Sequence, residues 1–244
     1  MSYSKVLVFD IWADYGHFKK YFANMSPLSF SIPPRTVIAG ILGALIGIDK
    51  TVNPETFNKN KAFIALKINN EIKKTKMAIN NIKADSKKEL GGLFKQHKPT
   101  NYEFLKDCSY RLFVALHDED LYRKLKSNLE NHSTYYTLNM GISACIANFK
   151  YVGEYPIRQI PHDNKRVEID TIIPSECVDQ IDFDRPIELQ KAKLPNQMKN
   201  NREVTEYREF IYDVKGQSIP LTYNENSEIY ALNIKSKDYF IHPM

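Results

Sequence analysis

The hydrophobic pattern of the first 155 residues switches repeatedly between strand-like and helix-like periods. Residues 5–12 (KVLVFDIW) form a nearly continuous apolar run rich in β-branched and aromatic side chains, which predicts a buried first strand. Residues 34–47 follow a Pro33-Pro34 turn and predict a helix, because proline fits a first helical turn where its missing N–H is not needed. Residues 61–69 and 72–80 read as two strands joined through Asn69-Asn70-Glu71 as a hairpin. Residues 81–102 lose apolar periodicity and carry Gly91, Gly92 and Pro99, the marks of a long functional loop. A strand over 110–117 then precedes a second helix. Asp118 is its N-cap, Glu119 and Asp120 suit its positive end, and Leu121, Leu125 and Leu129 recur at i, i+4 and i+8. The helix ends at Asn131-His132, and residues 143–152 predict another strand in their second half.

The resulting order is β-α-β-β-α-β, the pattern of a ferredoxin-like α+β domain with an insertion between its halves. This domain is expected to span residues 1–155, with a basic insertion at about 70–103. From residue 156 the chain changes character. Pro156, Pro161, Pro174, Pro186, Pro195 and Pro220 punctuate short strand-like runs such as 167–173 and 209–214, which predicts a smaller β-rich region over 156–244.

Composition narrows the class. With 43% hydrophobic and 26% charged residues, wholesale disorder is excluded. The longest apolar run, residues 37–48, is too short to span a bilayer and is broken by Gly40, Gly43 and Gly47, so no membrane partner is expected. The chain opens without a signal-peptide pattern, and a cytosolic location is expected. Cys108, Cys145 and Cys177 are widely spaced, which supports neither a disulfide framework nor a zinc site. No metal and no cofactor are expected: Asp118-Glu119-Asp120 is what a helix first turn carries, and P-loop, G-x-S-x-G and H-E-x-x-H patterns are absent.

The net charge of +5 hides a strong asymmetry. Residues 61–100 hold ten lysines against Glu71, Asp85 and Glu89, whereas residues 101–244 carry a net −4. Such a window suits a polyanion, since lysines beside phosphates release condensed counterions; a solvated lysine-rich hairpin is the alternative. The segment from Tyr15 to Phe22 interleaves aromatic rings with His17, Lys19 and Lys20, a combination that holds single-stranded RNA. Three glycines in the first helix point to a close approach to its backbone, by another part of the protein or by a ligand. Arg35 in the first turn opposes the helix dipole, so an anion to be met there is one reading, with the side chain partly exposed. Metal-independent RNA cleavage needs a base, an acid and a cation. Tyr15 and His17 beside Lys19, or His97 or His117 near other lysines, are the residues that could supply them.

Residues 8–20 (VFDIWADYGHFKK) and 26–47 (SPLSFSIPPRTVIAGILGALIG) together resemble the N-terminal signature of the fifth CRISPR-associated protein family, the Cas-five subunit of type I Cascade complexes, with the flavour of subtype I-B. Residues 140–147 (MGISACIA), 151–153 (YVG) and, more weakly, 202–208 (REVTEYR) extend the resemblance. It implies a prokaryotic repeat-associated (RAMP) protein with a modified RNA-recognition-motif fold and a thumb-like hairpin. Such a protein caps the CRISPR RNA by gripping its 5′ handle and contacts a Cas-seven-like backbone subunit and a Cas-eight-like large subunit. Contact with target DNA in the assembled complex is left open. The thumb would correspond to the lysine window, placing Lys73, Lys74, Lys76, Lys87, Lys88, Gly91, Gly92, Lys95, His97 and Lys98 on RNA. The Pro34-Arg35-Thr36 turn, Gly40 and Gly141 would lie near the handle. Relatives of subtype I-C cut precursor RNA with a Tyr-Lys-His constellation. Here His117 follows Leu116 in place of lysine, so a non-catalytic role is expected, with an endoribonuclease built on Tyr15, His17 and His117 as the alternative.

Overall fold

The apolar run at the start of the chain becomes β1 (Lys5–Gly16), the middle of an antiparallel sheet. The structure, a computed structural model, describes residues 3–22, 27–82, 97–162, 166–225 and 227–244. A hairpin of two-residue strands, β2 (Phe18–Lys19) with β3 (Ser29–Phe30), leads to α1 (Arg35–Ile46) and the short α2 (Asn53–Thr56). Next come β4 (Ala62–Ile68), β5 (Lys73–Ile82), β6 (His97–Leu116), α3 (Glu119–Glu130) and β7 (Asn148–Pro156). The sheet order β4-β6-β1-β7 is that of a ferredoxin-like domain, with every neighbouring pair antiparallel. The α+β fold expected from the sequence is the one the chain adopts.

Both helices form where their ends are signalled. The Asp118 side chain accepts hydrogen bonds from the amides of Asp120 and Leu121, and Leu125, Leu129 and Tyr122 face inward. Pro34 opens α1, and Gly47 ends it in the left-handed conformation with φ of 76°. The two helices pack on each other; the Asn128 side chain donates to the Leu45 carbonyl at 2.7 Å.

The lysine window pairs differently from the expectation. β4 and β5 both exist, yet they do not form a hairpin with each other. Each lies antiparallel to a different half of β6: Ala62–Ile68 against 110–116, and Lys73–Ile82 against 97–106. β6 is 20 residues long and offers one continuous edge, so the buried β4 and the polar β5 line up end to end along it. Residues 81–82 and 97–102, expected within a loop, are strand. Strand β1 pairs only with Leu105–Val114, so the β5–β6 hairpin runs on beyond the sheet.

The chain beyond residue 156 is β-rich. It contributes β8 (Arg158–Gln159), β9 (Val167–Ile169), β10 (Ile173–Pro174), β11 (Val178–Ile181), β12 (Leu189–Met198), β13 (Val204–Asp213), β14 (Ile219–Tyr223), β15 (Tyr230–Ile234) and β16 (Lys237–Ile241). A small core of its own gathers Ile169, Ile173, Ile219, Leu221 and Tyr223. Phe210, Tyr230, Leu232, Tyr239 and Ile241 join the main core instead. With α1 and α3 on one face and these residues on the other, the central strands are buried on both sides, which is why they read as continuous apolar runs. Two polar contacts fix this second face. Arg111 grips Asp10 through two bonds of 2.8 and 2.9 Å and donates to the Tyr239 hydroxyl. Lys67 donates to the Gly216 carbonyl and lies 3.8 Å from Asp170.

His242 near the end of the chain is buried, and burial pushes its pKa down to about 3. Its polar groups are held within the protein: the backbone amide donates to Thr171 Oγ1 and Nδ1 donates to the Pro243 carbonyl. A histidine in the unfolded chain titrates near 6.5. Above that pH the ring is neutral in both states. Between about 6.5 and 3 the unfolded chain alone takes the proton, so stability falls by up to about 1.4 kcal/mol per pH unit as the solution is acidified. Denaturant midpoints measured from pH 7 to 4.5 should fall more steeply for the native sequence than for His242→Gln. Parallel pH profiles would show that His242 is not the group responsible.

Candidate nucleic-acid interface

The β5–β6 hairpin carries exposed cations on both of its faces. Directly opposed residues share a face, so Lys74, Lys76 and His97 lie on one and Lys73, Lys98 and Lys106 on the other. Lys74 is committed to the fold: its Nζ donates to Glu103 Oε1 at 2.9 Å and to the Ser29 carbonyl at 3.1 Å, tying the hairpin to β3. Lys74 and the Ser29 amide hold the Glu103 carboxyl below the usual range, although burial acts the other way. Lys73, Lys76, His97 and Lys98 remain exposed. Lys87, Lys88, Gly91, Gly92 and Lys95 lie outside the described residues.

At the root of the hairpin, Thr75, Met77 and Ile79 alternate toward the body, where Tyr102 and Phe104 lie beside them. His17 sits edge-on to Tyr102 at 5.4 Å, and Tyr15 meets Phe104 edge-on at 6.1 Å. Here the structure corrects one expectation. His17 is only 1% exposed, and its Nδ1 donates to the Glu103 carbonyl at 2.8 Å, so it belongs to the packing beneath the surface and is not displayed on it. Lys19 is exposed on β2, and Lys20 extends over the rings of Phe22 and Phe30 at 5.7 and 5.8 Å.

Arg35 is the larger correction. The residue expected to stand partly exposed is 1% exposed. Its Nη2 donates to the carbonyls of Phe57 and Ala62, at 3.0 and 2.8 Å, which brings the chain between α2 and β4 against the start of α1. Burial lowers its pKa to about 10, partly offset by Tyr3 and Glu206, and the guanidinium stays charged at neutral pH. The cation at the helix start therefore meets backbone carbonyls of its own chain. Pro34 beside it is buried as well.

The exposed side of α1 opens onto a cavity of about 550 Å³, closed by α2, the segment around Tyr136–Gly141 and the end of β12. That volume is within the range of small-molecule sites. Thr36 and Gly40 line it, as do Lys50, Asn139, Gly141 and Arg202. The glycines of α1 divide between two roles. A Cβ on Gly43 would fall 1.9 Å from Asn53 Nδ2, so Gly43 admits a neighbour within the fold; a Cβ on Gly40 would meet nothing within 4 Å. Gly40 leaves the helix backbone bare toward the cavity. No side chain caps α1 and no acidic residue occupies its first turn, an arrangement hospitable to an anion. Arg35, Asn196 and Gln197, all on the cavity wall, carry buried polar atoms without a partner among the described residues. Sequence reading missed Lys50, Asn139 and Asn196; for Arg202 the only signal was the weak 202–208 match.

The three residues of the alternative catalytic reading do not assemble. Tyr15 pairs with Lys106, and His117 lies eleven residues further on, just past the end of β6, roughly 35 Å at strand spacing. His117 stacks on Tyr3 at 4.3 Å at that far end. Among the described residues there is no cluster of three or more His, Cys, Asp or Glu that could hold a metal, and no helix long and apolar enough to cross a membrane.

A five-stranded antiparallel sheet, ordered β4-β6-β1-β7 with β5 paired to the projecting half of β6, with two helices on one face and a β-rich C-terminal part on the other, defines a sheet-rich α+β protein with a basic hairpin. Residues 6–210 match the family model described as CRISPR-associated protein (Cas_Cas5). The chain belongs to that family. No curated protein sequence matches it. Among solved structures it is similar to a chain of a CRISPR RNA-guided surveillance complex, with 11% identity over 88% of this chain and 91% of that one and a TM-score of 0.51, which shows the shared fold. It is also similar, at a TM-score of 0.48 and 12% identity over 88% of this chain and 86% of that one, to a chain of a Type III-B Cmr-beta complex bound to cognate target RNA and AMPPnP.

Proposed function

We propose that this chain is a non-catalytic RNA-binding subunit of a type I Cascade-like CRISPR complex, where it grips the 5′ handle of the guide RNA and caps the backbone filament in antiviral defence. The observation that carries the reading is the β5–β6 hairpin, which outruns the sheet and displays Lys73, Lys76, His97 and Lys98 on two faces. Cations on two faces of a projecting ribbon suit a single strand passing around it better than a duplex lying on one side. Family membership points the same way. A Cas-seven-like backbone subunit, a Cas-eight-like large subunit and, in the assembled complex, target DNA are the further partners of this reading; subtype I-B is the variety it favours.

The test is a titration of repeat-derived single-stranded RNA at several salt concentrations. The native chain should bind with a log–log salt slope of several units, and each of Lys73→Gln, Lys76→Gln and Lys98→Gln should reduce that slope by about 0.7 if it removes one phosphate contact. Binding that ignores salt would overturn the phosphate-gripping role. Incubation of the same RNA in chelator should leave it intact; site-specific cuts that disappear in His117→Ala would make the chain an endoribonuclease.

A further inference from the structure

Three large aromatic rings stand together on the surface where the β2–β3 hairpin meets β13. Tyr21 is 54% exposed, Phe22 61% and Tyr207 38%. The Tyr21 ring lies 5.2 Å from Phe22, edge to face, and 5.2 Å from Tyr207 at an interplanar angle of 54°. Local structure holds them there. Phe18 and Phe30 pair across the hairpin and are buried, and the Lys20 amide donates to the Leu28 carbonyl, so Tyr21 and Phe22 are carried outward from a rooted base. Tyr207 comes from β13, where it pairs with Pro195 of β12. Rings this large are ordinarily spent on core or interface, and a contiguous exposed group of them marks a binding surface.

The charges around the rings select the occupant. Lys20 lies over Phe22 and Lys19 is exposed on the same hairpin. Lys74 donates to the Ser29 carbonyl and so joins this hairpin to the basic β5–β6 ribbon. The neighbouring acids are already engaged: Glu103 by Lys74 and the Ser29 amide, Glu206 by Lys59 and Asn196. Glu206 also alternates to the other side of β13 from Tyr207. Aromatic faces flanked by the ammonium groups of Lys19 and Lys20 match unpaired bases on a phosphate backbone.

We infer that Tyr21, Phe22 and Tyr207 form a stacking platform for unpaired bases of the bound RNA, continuous with the lysines of the β5–β6 hairpin. The inference rests on the RNA-binding reading above and adds to it which rings touch bases, one of them far along the chain in the C-terminal region. Bases would contribute through their faces, so the platform would tolerate any base.

The experiment titrates the native chain, Phe22→Ala, Tyr207→Ala and Phe22→Trp against a labelled oligouridylate and against an abasic ribose-phosphate strand of the same length. The native chain should prefer the base-bearing strand. Phe22→Ala and Tyr207→Ala should weaken binding of that strand by roughly five- to 150-fold, leave the abasic strand unaffected, and melt as the native chain does. Phe22→Trp should retain the preference. Native-like affinity of both alanine variants for the base-bearing strand would overturn the platform and leave these rings to a protein neighbour, with the RNA-binding reading intact. Equal losses on both strands would also overturn it, because the rings would then serve only to place Lys20. Failure of the native chain to bind either strand at low salt would sink the RNA-binding reading itself.

Discussion

Arg35→Ala is expected to lower the melting temperature by roughly 5–15 °C while leaving RNA affinity near the native value when measured well below the transition. The guanidinium makes two charge-assisted bonds to the carbonyls of Phe57 and Ala62 inside the protein. Bonds of that kind contribute about 1.5–3 kcal/mol each, and truncation strands two buried acceptors as well. Against this, alanine removes the cost of burying a charge that has no carboxylate directly upon it. A net loss of about 2–4 kcal/mol follows, and for a chain of this length each kcal/mol moves the transition by about 2–4 °C. Arg35→Lys should recover only part, because an ammonium lacks the planar fork. Thermal denaturation followed by circular dichroism, paired with RNA titration in the cold, reads both quantities. An unchanged transition with lost affinity would mean that Arg35 reaches the RNA after all. The sequence pointed to that opposite outcome, since an arginine in a helix first turn ordinarily faces solvent.

Gly141→Val should be the most damaging single substitution at the cavity. Gly141 has φ of 93°, and a Cβ there would fall 2.0 Å from the His17 carbonyl oxygen and 2.8 Å from its carbon. Both obstacles are backbone, so no rotamer change relieves them. The adjoining bond from the His17 amide to the Met140 carbonyl, 2.9 Å, would have to open. Left-handed strain alone costs about 1–3 kcal/mol, and the forced separation adds to it, for an expected loss of at least about 3 kcal/mol. Gly40→Ala is the matched control. Its methyl enters open space, and replacing glycine within a helix should stabilise by about 0.5–1 kcal/mol. A bulky residue at the same position, Gly40→Leu, should likewise leave the fold intact but occupy the cavity and weaken RNA binding. Equal destabilisation at the two positions would contradict the geometry.

The two glycines show what a sequence can and cannot convey. Both belong to stretches that carry the family resemblance, and nothing local separates the one that guards a backbone contact from the one that opens on a cavity. That difference is made by residues remote in the chain. The same holds for Arg35, whose burial depends on carbonyls 22 and 27 residues away. Tyr207 is similar: its significance appears only when β13 brings it to Tyr21. The five thumb candidates among residues 83–96 lie outside the described residues, and their contribution to RNA binding rests on the salt titration.

What the sequence by itself determined was local and additive. The helix bounded by Pro34 and Gly47, the N-cap at Asp118, the buried first strand, the α+β order and the concentration of lysine between residues 61 and 100 all follow from propensity, capping and composition. Each of these is a property of neighbouring residues. Tertiary structure alone decided which strands pair, because β6 is long enough to serve β4 and β5 in succession along one edge. It also decided which cations stay at the surface, since Lys74 and Arg35 are consumed by oxygen atoms brought from elsewhere in the chain while Lys73 (beside Glu71), Lys76 and Lys98 stay exposed. A strand pattern specifies a face to be buried but not its partner, and a charge specifies a need for compensation but not its source. Both are settled only when distant segments meet.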